Sequence, residues 1–468
     1  MKPFRNILRL SVGDAIARAL SFLAFIYLAR VMGVDSYGTI EFALSVIIYL
    51  QVFTEGGLDL WATREVAQGK SIKTLVGQIV PLRVGLGILG FGGLLLLLPL
   101  FPDYPHLQAL LILFGLRAFS QAIDLRWIFM GQANMRLVAV GLIIAQVIFA
   151  AMVFGLVRDP GDVLWVPIAQ FLGNLAVSGY FYYGFVRSEK TLLIRPSLRG
   201  IKRAIGPSLA LGGSRGLALL SFNFDTLLLG FLLNSAAVGL YGAAYRPLTA
   251  ILTVSATYGL GLFPALSRAY YHDRAEFQEL ALKSLRITAI CAVPVGVGGS
   301  FLAGTIIELL FGAQYSGAGP VMQILAWSAM LVVLRGTFRQ ALAASGNQKL
   351  DLICTAGASA INIGLNLLFI PAFGIMGAAA ATLISESIWL TSAIVVSACV
   401  GVVPLRAGLM QLLRPLLAGG GMSICFIITA SLPRPVQLVI AGGVFLAVLL
   451  LSGDKEVRSW VPKPSALS

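Results

Sequence analysis

Long apolar runs of about 20 residues recur from one end of the 468-residue chain to the other. A helix rises about 1.5 Å per residue, so a run of this length crosses the hydrocarbon core of a bilayer. A backbone in lipid must satisfy its own hydrogen bonds, and runs such as "GGLLLLLPLF" lack the alternation of a barrel strand. Only 12% of the residues are charged, and the mean hydropathy is +0.89. The sequence therefore predicts an all-α polytopic membrane protein.

The apolar runs predict about fourteen transmembrane helices joined by short loops, which leave little room for a soluble domain. The first run is too long for a removable signal peptide and lacks a cleavage-site pattern, so we interpret it as the first span. The spans are predicted at 7–31, 37–62, 77–100, 106–130, 136–157, 163–186, 204–232, 237–264, 284–311, 319–344, 350–371, 375–400, 408–430 and 435–452.

Basic residues are distributed unequally between the two sides of the predicted membrane. With the N-terminus inside, 23 of the 34 Lys and Arg lie in inner loops and ends, three lie outside and eight lie within spans. The positive-inside rule predicts this excess for cytoplasmic loops. Both termini are therefore expected in the cytoplasm, and the net charge of +14 needs no nucleic-acid partner to explain it.

An internal repeat divides the chain into two halves. The dipeptide "YG" at 37–38 recurs at 241–242, and the same offset of 204 residues relates Arg64 to Arg268. Two six-helix lobes with the same orientation are a common transporter architecture. We therefore predict an N-terminal lobe at 1–190, a cytoplasmic linker at 191–203, a C-terminal lobe at 204–401, and spans thirteen and fourteen with a cytoplasmic tail at 402–468.

Eight arginines lie inside the predicted spans, where a charge at the helix centre costs about 2.5–3.5 kcal/mol on insertion scales. Arg126 and Arg339 lie near inner helix ends, so we expect them to reach the interface or to pair locally, Arg126 with Asp124. Arg83 lies further in, and the sequence leaves open whether its side chain reaches the membrane interface or stays inside the protein. Five arginines are deeper: Arg18, Arg117, Arg215, Arg246 and Arg335.

The five deep arginines come from both predicted lobes. A guanidinium group carries a fixed charge in a planar fork that matches phosphate oxygens. These arginines therefore predict a cationic, water-filled cavity between the lobes. The alternative is buried pairing with nearby carboxylates, which are Asp14, Asp225, Glu41, Glu55 and Glu386. Asp14, one turn before Arg18, either steadies that arginine or is a protonation site of its own.

Polar oxygens form a second pattern in the C-terminal half. Asp225 lies within span seven, Asn362 and Asn366 lie one turn apart in span eleven, and Thr382 lies in span twelve. Carboxylate, amide and hydroxyl oxygens are hard donors that suit a small cation such as sodium. Hydrogen bonding between helices is the alternative explanation.

Several common motifs of enzyme chemistry are missing from the sequence. It contains no Walker A motif and no HExxH, and its four cysteines form no CxxC. No predicted outer loop is long enough for a polymerase or transferase domain. We therefore expect a transporter that is not an enzyme and has no cofactor, with sodium or a proton as the candidate coupling ion.

Several motifs of the N-terminal half resemble Wzx-type oligosaccharide flippases of the multidrug/oligosaccharidyl-lipid/polysaccharide exporter superfamily. The similar features are a basic residue in span one, "LARVMGVDSYG" at the first outer turn and "GLDLWATREVA" at the end of span two. The span count and "LYGAAYR" in the second lobe extend the resemblance over roughly residues 5 to 400. It implies two six-helix lobes in a V-shaped arrangement like that of multidrug and toxin exporters, plus two C-terminal helices.

The resemblance implies that a polyprenyl-diphosphate-linked oligosaccharide crosses the bacterial cytoplasmic membrane by alternating access. The cargo would be an O-antigen, capsule or exopolysaccharide unit, and polymerase and chain-length proteins would be partners. Arg18 and Arg246 occupy places like those of cavity arginines in the related lipid II flippases. The expected substrate-binding set is Arg18, Arg246, Arg215, Arg117, Arg335 and Asp14.

Those lipid II flippases also have a sodium site, which Asp225, Asn362, Asn366 and Thr382 would form here. Asn366 stands where an aspartate is usual, so the site would carry one negative charge less. Two other functions on the same fold stay open: a lipid II flippase of peptidoglycan synthesis and an antiporter of cationic drugs or metabolites.

Overall fold

The computed structural model describes residues 2–190, 196–197, 200–208 and 223–453, and these ranges contain no strand. The side chains of residues 2–9 and 260 are not described. Short 3₁₀ turns and a helical segment at 200–208 accompany the α-helices. The α-helices are α1 (Lys2–Glu55), α2 (Leu58–Ala67), α3 (Ile72–Leu97), α4 (Leu107–Gly115), α5 (Arg117–Ala122), α6 (Arg126–Gly131), α7 (Met135–Leu156), α8 (Trp165–Glu189), α9 (Phe224–Leu232), α10 (Ser235–His272), α11 (Arg274–Phe301), α12 (Ala303–Phe311), α13 (Ala318–Ala344), α14 (Gln348–Cys399), α15 (Leu405–Ile428) and α16 (Arg434–Leu451).

The predicted all-α membrane fold is confirmed. In the described ranges, 10 helices are long and apolar enough to cross a membrane. Two of them, α1 and α14, each contain two predicted spans, so the ten account for twelve of the fourteen. The other two are span four, which is broken, and span seven, part of which lies outside the described residues.

Two of these long helices change direction at a glycine. Gly33 in α1 has φ 75° and ψ 175°, and Gly374 in α14 has φ 58° and ψ −137°. Glycine adopts positive φ without the steric cost of a Cβ. Each glycine therefore joins two predicted spans where the sequence suggested a short loop.

The predicted end of span two at residue 62 is wrong. Helix α1 ends at Glu55, and α2 begins at Leu58 as a separate helix. Gly57 between them has φ 75° and ψ 6°, a left-handed conformation that interrupts a right-handed helix. The "GLDLWATREVA" motif therefore lies on a short helix of its own.

The prediction of span four as one helix over 106–130 is also wrong, because the segment forms α4, α5 and α6. The last break has a local cause. The carboxylate of Asp124 accepts a hydrogen bond from the backbone N–H of Arg126 at 2.8 Å, as at a helix N-terminus. The side chain that was predicted to pair with Arg126 thus also starts a new helix there.

Span nine begins earlier than predicted and is also interrupted. Helix α11 starts at Arg274 because the Asp273 carboxylate accepts from the backbone N–H groups of Ala275 at 2.8 Å and Glu276 at 3.3 Å. The helix ends at Phe301, and α12 continues to the predicted end at 311.

The chain divides into two compact units, Met1–Gly242 and Ala243–Ser468. One core of the first unit contains Trp127, Phe181 and Phe185. The core of the second contains Phe277 and Phe426, and the ring of Phe426 stacks on Phe301 at 5.0 Å. The predicted linker at 191–203 lies largely outside the described residues, so the division into lobes at that point stays a prediction.

Within the first unit the two copies of the "YG" motif lie close together. A Cβ at Gly38 would collide with the carbonyl oxygen of Ser235, and one at Gly242 would lie 3.2 Å from the Cγ of Glu41. The hydroxyl of Ser235 donates to Asp35 at 3.0 Å. Gly38 therefore lies where two backbones approach each other, whereas Gly242 lies against the side chain of Glu41.

Candidate functional site

A cavity of about 330 Å³ lies inside the first unit. Its lining contains three arginines, two aspartates and several neutral polar side chains, contributed by helices α1, α5, α6, α7 and α8 and by the segment before α6. The charged residues are Arg18, Arg117, Arg126, Asp14 and Asp124. Among the neutral ones are Ser21, Ser120, Gln121, Gln146, Asn174 and Ser178.

Arg18 and Asp14 form an ion pair within α1. The guanidinium Nε lies 2.7 Å from Oδ2 of Asp14, as the spacing of four residues predicts. The side chains are 58% and 33% exposed. The protein therefore encloses this pair only in part.

Arg117 has a neutral partner instead. With its amide oriented to face the guanidinium, the side-chain oxygen of Gln51 accepts from Nη1 at 3.0 Å and from Nε at 3.2 Å. Among the described residues Arg117 forms no ion pair. Its positive charge is therefore not cancelled by a carboxylate and remains available to a bound anion.

Arg126 is held by two carboxylates, and one of them also binds Arg83. The guanidinium of Arg126 lies 3.8 Å from Asp124 and 4.0 Å from Asp59. Arg83 is buried, pairs with Asp59 and donates to the backbone carbonyl of Asp124 at 3.3 Å. The predicted local pairing of Arg126 is confirmed, and Arg83 pairs inside the protein rather than reaching the interface.

The other predicted substrate-binding arginines are placed differently. Arg246 lies half-buried in α10, in the second unit, and Arg215 lies outside the described residues. Arg335 in α13 is buried, with its Nε 3.0 Å from Glu386 and its guanidinium 3.3 Å above the ring of Trp389. Its surroundings match the buried pairing that the sequence left as an alternative.

The residues of the predicted cation site divide between the two units. Asp225 in the first unit is buried and accepts hydrogen bonds from the Tyr241 hydroxyl and from the backbone N–H of Thr226 at 2.8 Å. The other three belong to α14 in the second unit, where Asn366 donates to Asn362 at 3.0 Å.

A serine that the sequence analysis did not single out connects those α14 residues. Ser385 accepts from the amide of Asn362 at 3.0 Å and donates to the carbonyl of Thr382 at 3.0 Å. Among the described residues, the side-chain oxygens of Asn366 and Thr382 are buried and have no hydrogen-bond partner. Two such oxygens are chemically suited to a small hard cation.

The neutral amides of the first unit's cavity were also missed. Gln121, Gln146 and Asn174 belong to α5, α7 and α8. No local spacing relates the last two to the arginines. The only available signal was a polar side chain inside apolar runs such as "IIAQVIF" and "FLGNLAV".

Comparison with known proteins gives relatives in polysaccharide export. The putative O-antigen transporter of Escherichia coli (strain K12) is 22% identical over 345 residues, 71% of this chain and 81% of that protein. The succinoglycan biosynthesis transport protein ExoT of Rhizobium meliloti (strain 1021) is 24% identical over 68% of this chain and 64% of that protein.

A solved lipid II flippase, MurJ in an inward closed conformation, has the same fold. It matches with a TM-score of 0.74 at 15% identity, over 97% of this chain and 99% of that one. The family model described as polysaccharide biosynthesis protein matches residues 4–270, more than half of the sequence. The chain therefore belongs to the polysaccharide biosynthesis protein family, as its resemblance to Wzx-type flippases predicted.

Proposed function

We propose that the chain is a flippase that moves a polyprenyl-diphosphate-linked oligosaccharide across the cytoplasmic membrane. The observation that carries this proposal is the cavity of the first unit, where Arg18, Arg117 and Arg126 line one space. The names of the relatives, an O-antigen transporter and a succinoglycan transport protein, support an oligosaccharide unit as cargo.

The cavity suits a diphosphate better than a cation. Three guanidinium groups outnumber the two carboxylates of Asp14 and Asp124, and Arg117 has only a neutral partner. A diphosphate offers several oxygens to planar guanidinium forks and carries more charge than one carboxylate. This excess of positive charge argues against an antiporter of cationic drugs.

Transport follows from alternating access. Diphosphate binding offsets the repulsion between the cavity arginines and so favours a state in which they lie closer together. Release on the other side restores the repulsion and the Arg18–Asp14 pair.

Membrane potential contributes about 2.3 kcal/mol for each charge moved through 100 mV, so potential and a coupling ion are both candidate energy sources. An inner-membrane location with cytoplasmic termini belongs to this proposal.

The test uses purified full-length protein in vesicles that contain a fluorescent undecaprenyl-diphosphate-linked sugar. Accessibility of the sugar to an impermeant reagent reports its translocation. We expect Arg18→Ala and Arg117→Ala each to lower the rate at least about tenfold, because each removes a charged hydrogen-bonding fork. Arg339→Ala is the matched control, since Arg339 lies outside the cavity and pairs with Asp351 at 3.2 Å. Equal rates for the cavity variants and the control would refute the proposal.

The choice between a polysaccharide-unit flippase and a lipid II flippase uses the same vesicles. Lipid II shares the diphosphate, so the arginines alone do not separate the two cargoes. We expect faster transport of a diphosphate lipid that carries an O-antigen-type or exopolysaccharide unit than of lipid II. Faster transport of lipid II would assign the protein to peptidoglycan synthesis instead.

We also propose that α14 binds a small cation, with sodium as the candidate. The oxygens of Asn362, Asn366 and Thr382 would supply ligands, while the part predicted for Asp225, which belongs to the first unit, stays a prediction. Sodium would bias transport only if one state bound it more tightly. Titration with sodium chloride against choline chloride should raise the melting temperature of the wild type but not of Thr382→Val. The same rise in melting temperature in both proteins would show that sodium does not bind at Thr382.

A further inference from the structure

We propose that Gln121, Gln146 and Asn174 form a subsite for the sugar next to the diphosphate, within the first unit's cavity. This inference rests on the proposed function and assigns part of the same site to a different piece of the substrate. All three residues line the cavity together with the arginines. We call them the amide set.

Each member of the amide set has a buried polar atom whose hydrogen-bonding capacity is unused. Among the described residues, Oε1 of Gln121, Oε1 of Gln146 and Nδ2 of Asn174 have no hydrogen-bond partner. Buried polar groups are nearly always paired, so several unpaired ones around one cavity indicate a ligand that bonds them. The nearby serines differ, because Ser120 and Ser178 donate to backbone carbonyls at 3.0 and 2.8 Å.

The kinds of unused atom identify the ligand class. Each of the three amides offers an acceptor oxygen and donor N–H groups in either orientation, so a ligand that satisfies the set must donate and accept. A diphosphate only accepts hydrogen bonds and leaves both glutamine oxygens unpaired, whereas a metal cation leaves the amide N–H unpaired. The hydroxyl groups of a sugar do both. Water has the same capacity, and the experiment separates these two.

The position of the amide set fits a sugar attached to a bound diphosphate. Gln121 follows Arg117 by four residues on α5, so the two lie about one turn, or 6 Å, apart along the helix. Phe181 adds an apolar wall to the same cavity. Arginines would hold the diphosphate on one side while neutral amides bond hydroxyls beside it. The volume of about 330 Å³ lies at the small end of ligand sites.

The experiment compares a lipid with and without its sugar. Dissociation constants are measured in nanodiscs for undecaprenyl diphosphate and for the same lipid carrying glucose, galactose or N-acetylglucosamine. We expect the wild type to bind at least one glycosylated probe about fivefold or more tighter than the bare lipid, because several hydrogen bonds are added. The readout is this ratio, which cancels general losses of binding.

The variants replace each amide by an apolar side chain of similar shape: Gln121→Met, Gln146→Met and Asn174→Leu, singly and together. The triple variant should bring the ratio close to one, and each single variant should lower it in part. Gln170→Met is the matched control, because its Oε1 is also buried without a partner in the described structure but Gln170 does not line the cavity. Its ratio should equal that of the wild type.

Three results would overturn the inference: a wild-type ratio near one for every sugar, a ratio retained in the triple variant, or an equal fall in Gln170→Met. The single variants keep the test decisive if the triple variant does not fold. Failure of the proposed function looks different, since bare undecaprenyl diphosphate would then bind without any dependence on Arg18 or Arg117.

Discussion

Arg18 in the first unit and Arg335 in the second are both arginines deep in apolar helices, and both pair with a carboxylate. Their surroundings are opposite. The side chains of Arg18 and Asp14 are 58% and 33% exposed, whereas those of Arg335 and Glu386 are 8% and 15% exposed. Trp389 covers the Arg335 guanidinium, while Arg18 borders a cavity.

This difference in exposure distinguishes an arginine that can exchange its carboxylate for another anion from an arginine that cannot. An exposed pair contributes about 0–1 kcal/mol, so its carboxylate can leave when a stronger anion arrives. A buried pair is not easily opened, because the remaining charge has neither water nor a partner. We infer that Arg18 is suited to binding and Arg335 to holding α13 against the second half of α14.

The largest expected effect is on stability, from Glu386→Ala. This change leaves Arg335 as a buried charge without its carboxylate, so the free energy of unfolding should fall by about 3–5 kcal/mol. Denaturant unfolding in detergent measures the loss. The double variant Glu386→Ala with Arg335→Met removes the charge as well and should recover most of it. If Glu386→Ala lowered the free energy of unfolding by less than about 1 kcal/mol, the Arg335 pair would be no stronger than the exposed Arg18 pair, and the proposed difference between them would be wrong.

A smaller loss of stability is expected from Asp59→Ala. This variant tests whether burial has the same effect on an arginine of the first unit. Arg83 is 2% exposed, as enclosed as Arg335, although it belongs to the unit with the cavity. It keeps the backbone carbonyl of Asp124 as an acceptor, so we expect a loss of about 2–3 kcal/mol.

The control for this prediction is Glu189→Ala, which removes a surface pair with Lys73 at 4.0 Å and should cost about 0.5 kcal/mol or less. Equal losses from Asp59→Ala and Glu189→Ala would mean that burial does not set the role of these arginines.

The sequence predicted the long helices well because apolar length is a signal that each segment carries by itself. It failed where one side chain or one glycine changes the backbone locally. Gly57 ends a helix inside an apolar run, and Asp124 starts one. Such breaks depend on the conformation of a single residue, and hydropathy averaged over a whole segment does not detect it.

The candidate site was predictable only in part, for a similar reason. Arginines in apolar runs stand out by their cost, so Arg18 and Arg117 were found. Whether an arginine borders a cavity or lies against a tryptophan depends on the packing of distant helices, so Arg335 looked the same. The amide set has no charge and no common spacing, and only the fold brings its three helices together.

The smallest expected effect on stability comes from Asp14→Asn. The same variant is the most direct test of whether a diphosphate replaces the Asp14 carboxylate at Arg18. The pair with Arg18 is exposed, so the loss should stay below about 1 kcal/mol. Under the proposed function, the carboxylate also competes with the diphosphate for the same guanidinium. Its neutralisation should therefore tighten binding of bare undecaprenyl diphosphate about three- to tenfold, as measured in nanodiscs. Glu386→Gln should leave that affinity unchanged, because Arg335 lies outside this cavity. Weaker binding by Asp14→Asn would instead show that Asp14 positions Arg18 for the ligand, and the contrast between exchangeable and fixed arginines would then fail at Arg18 itself.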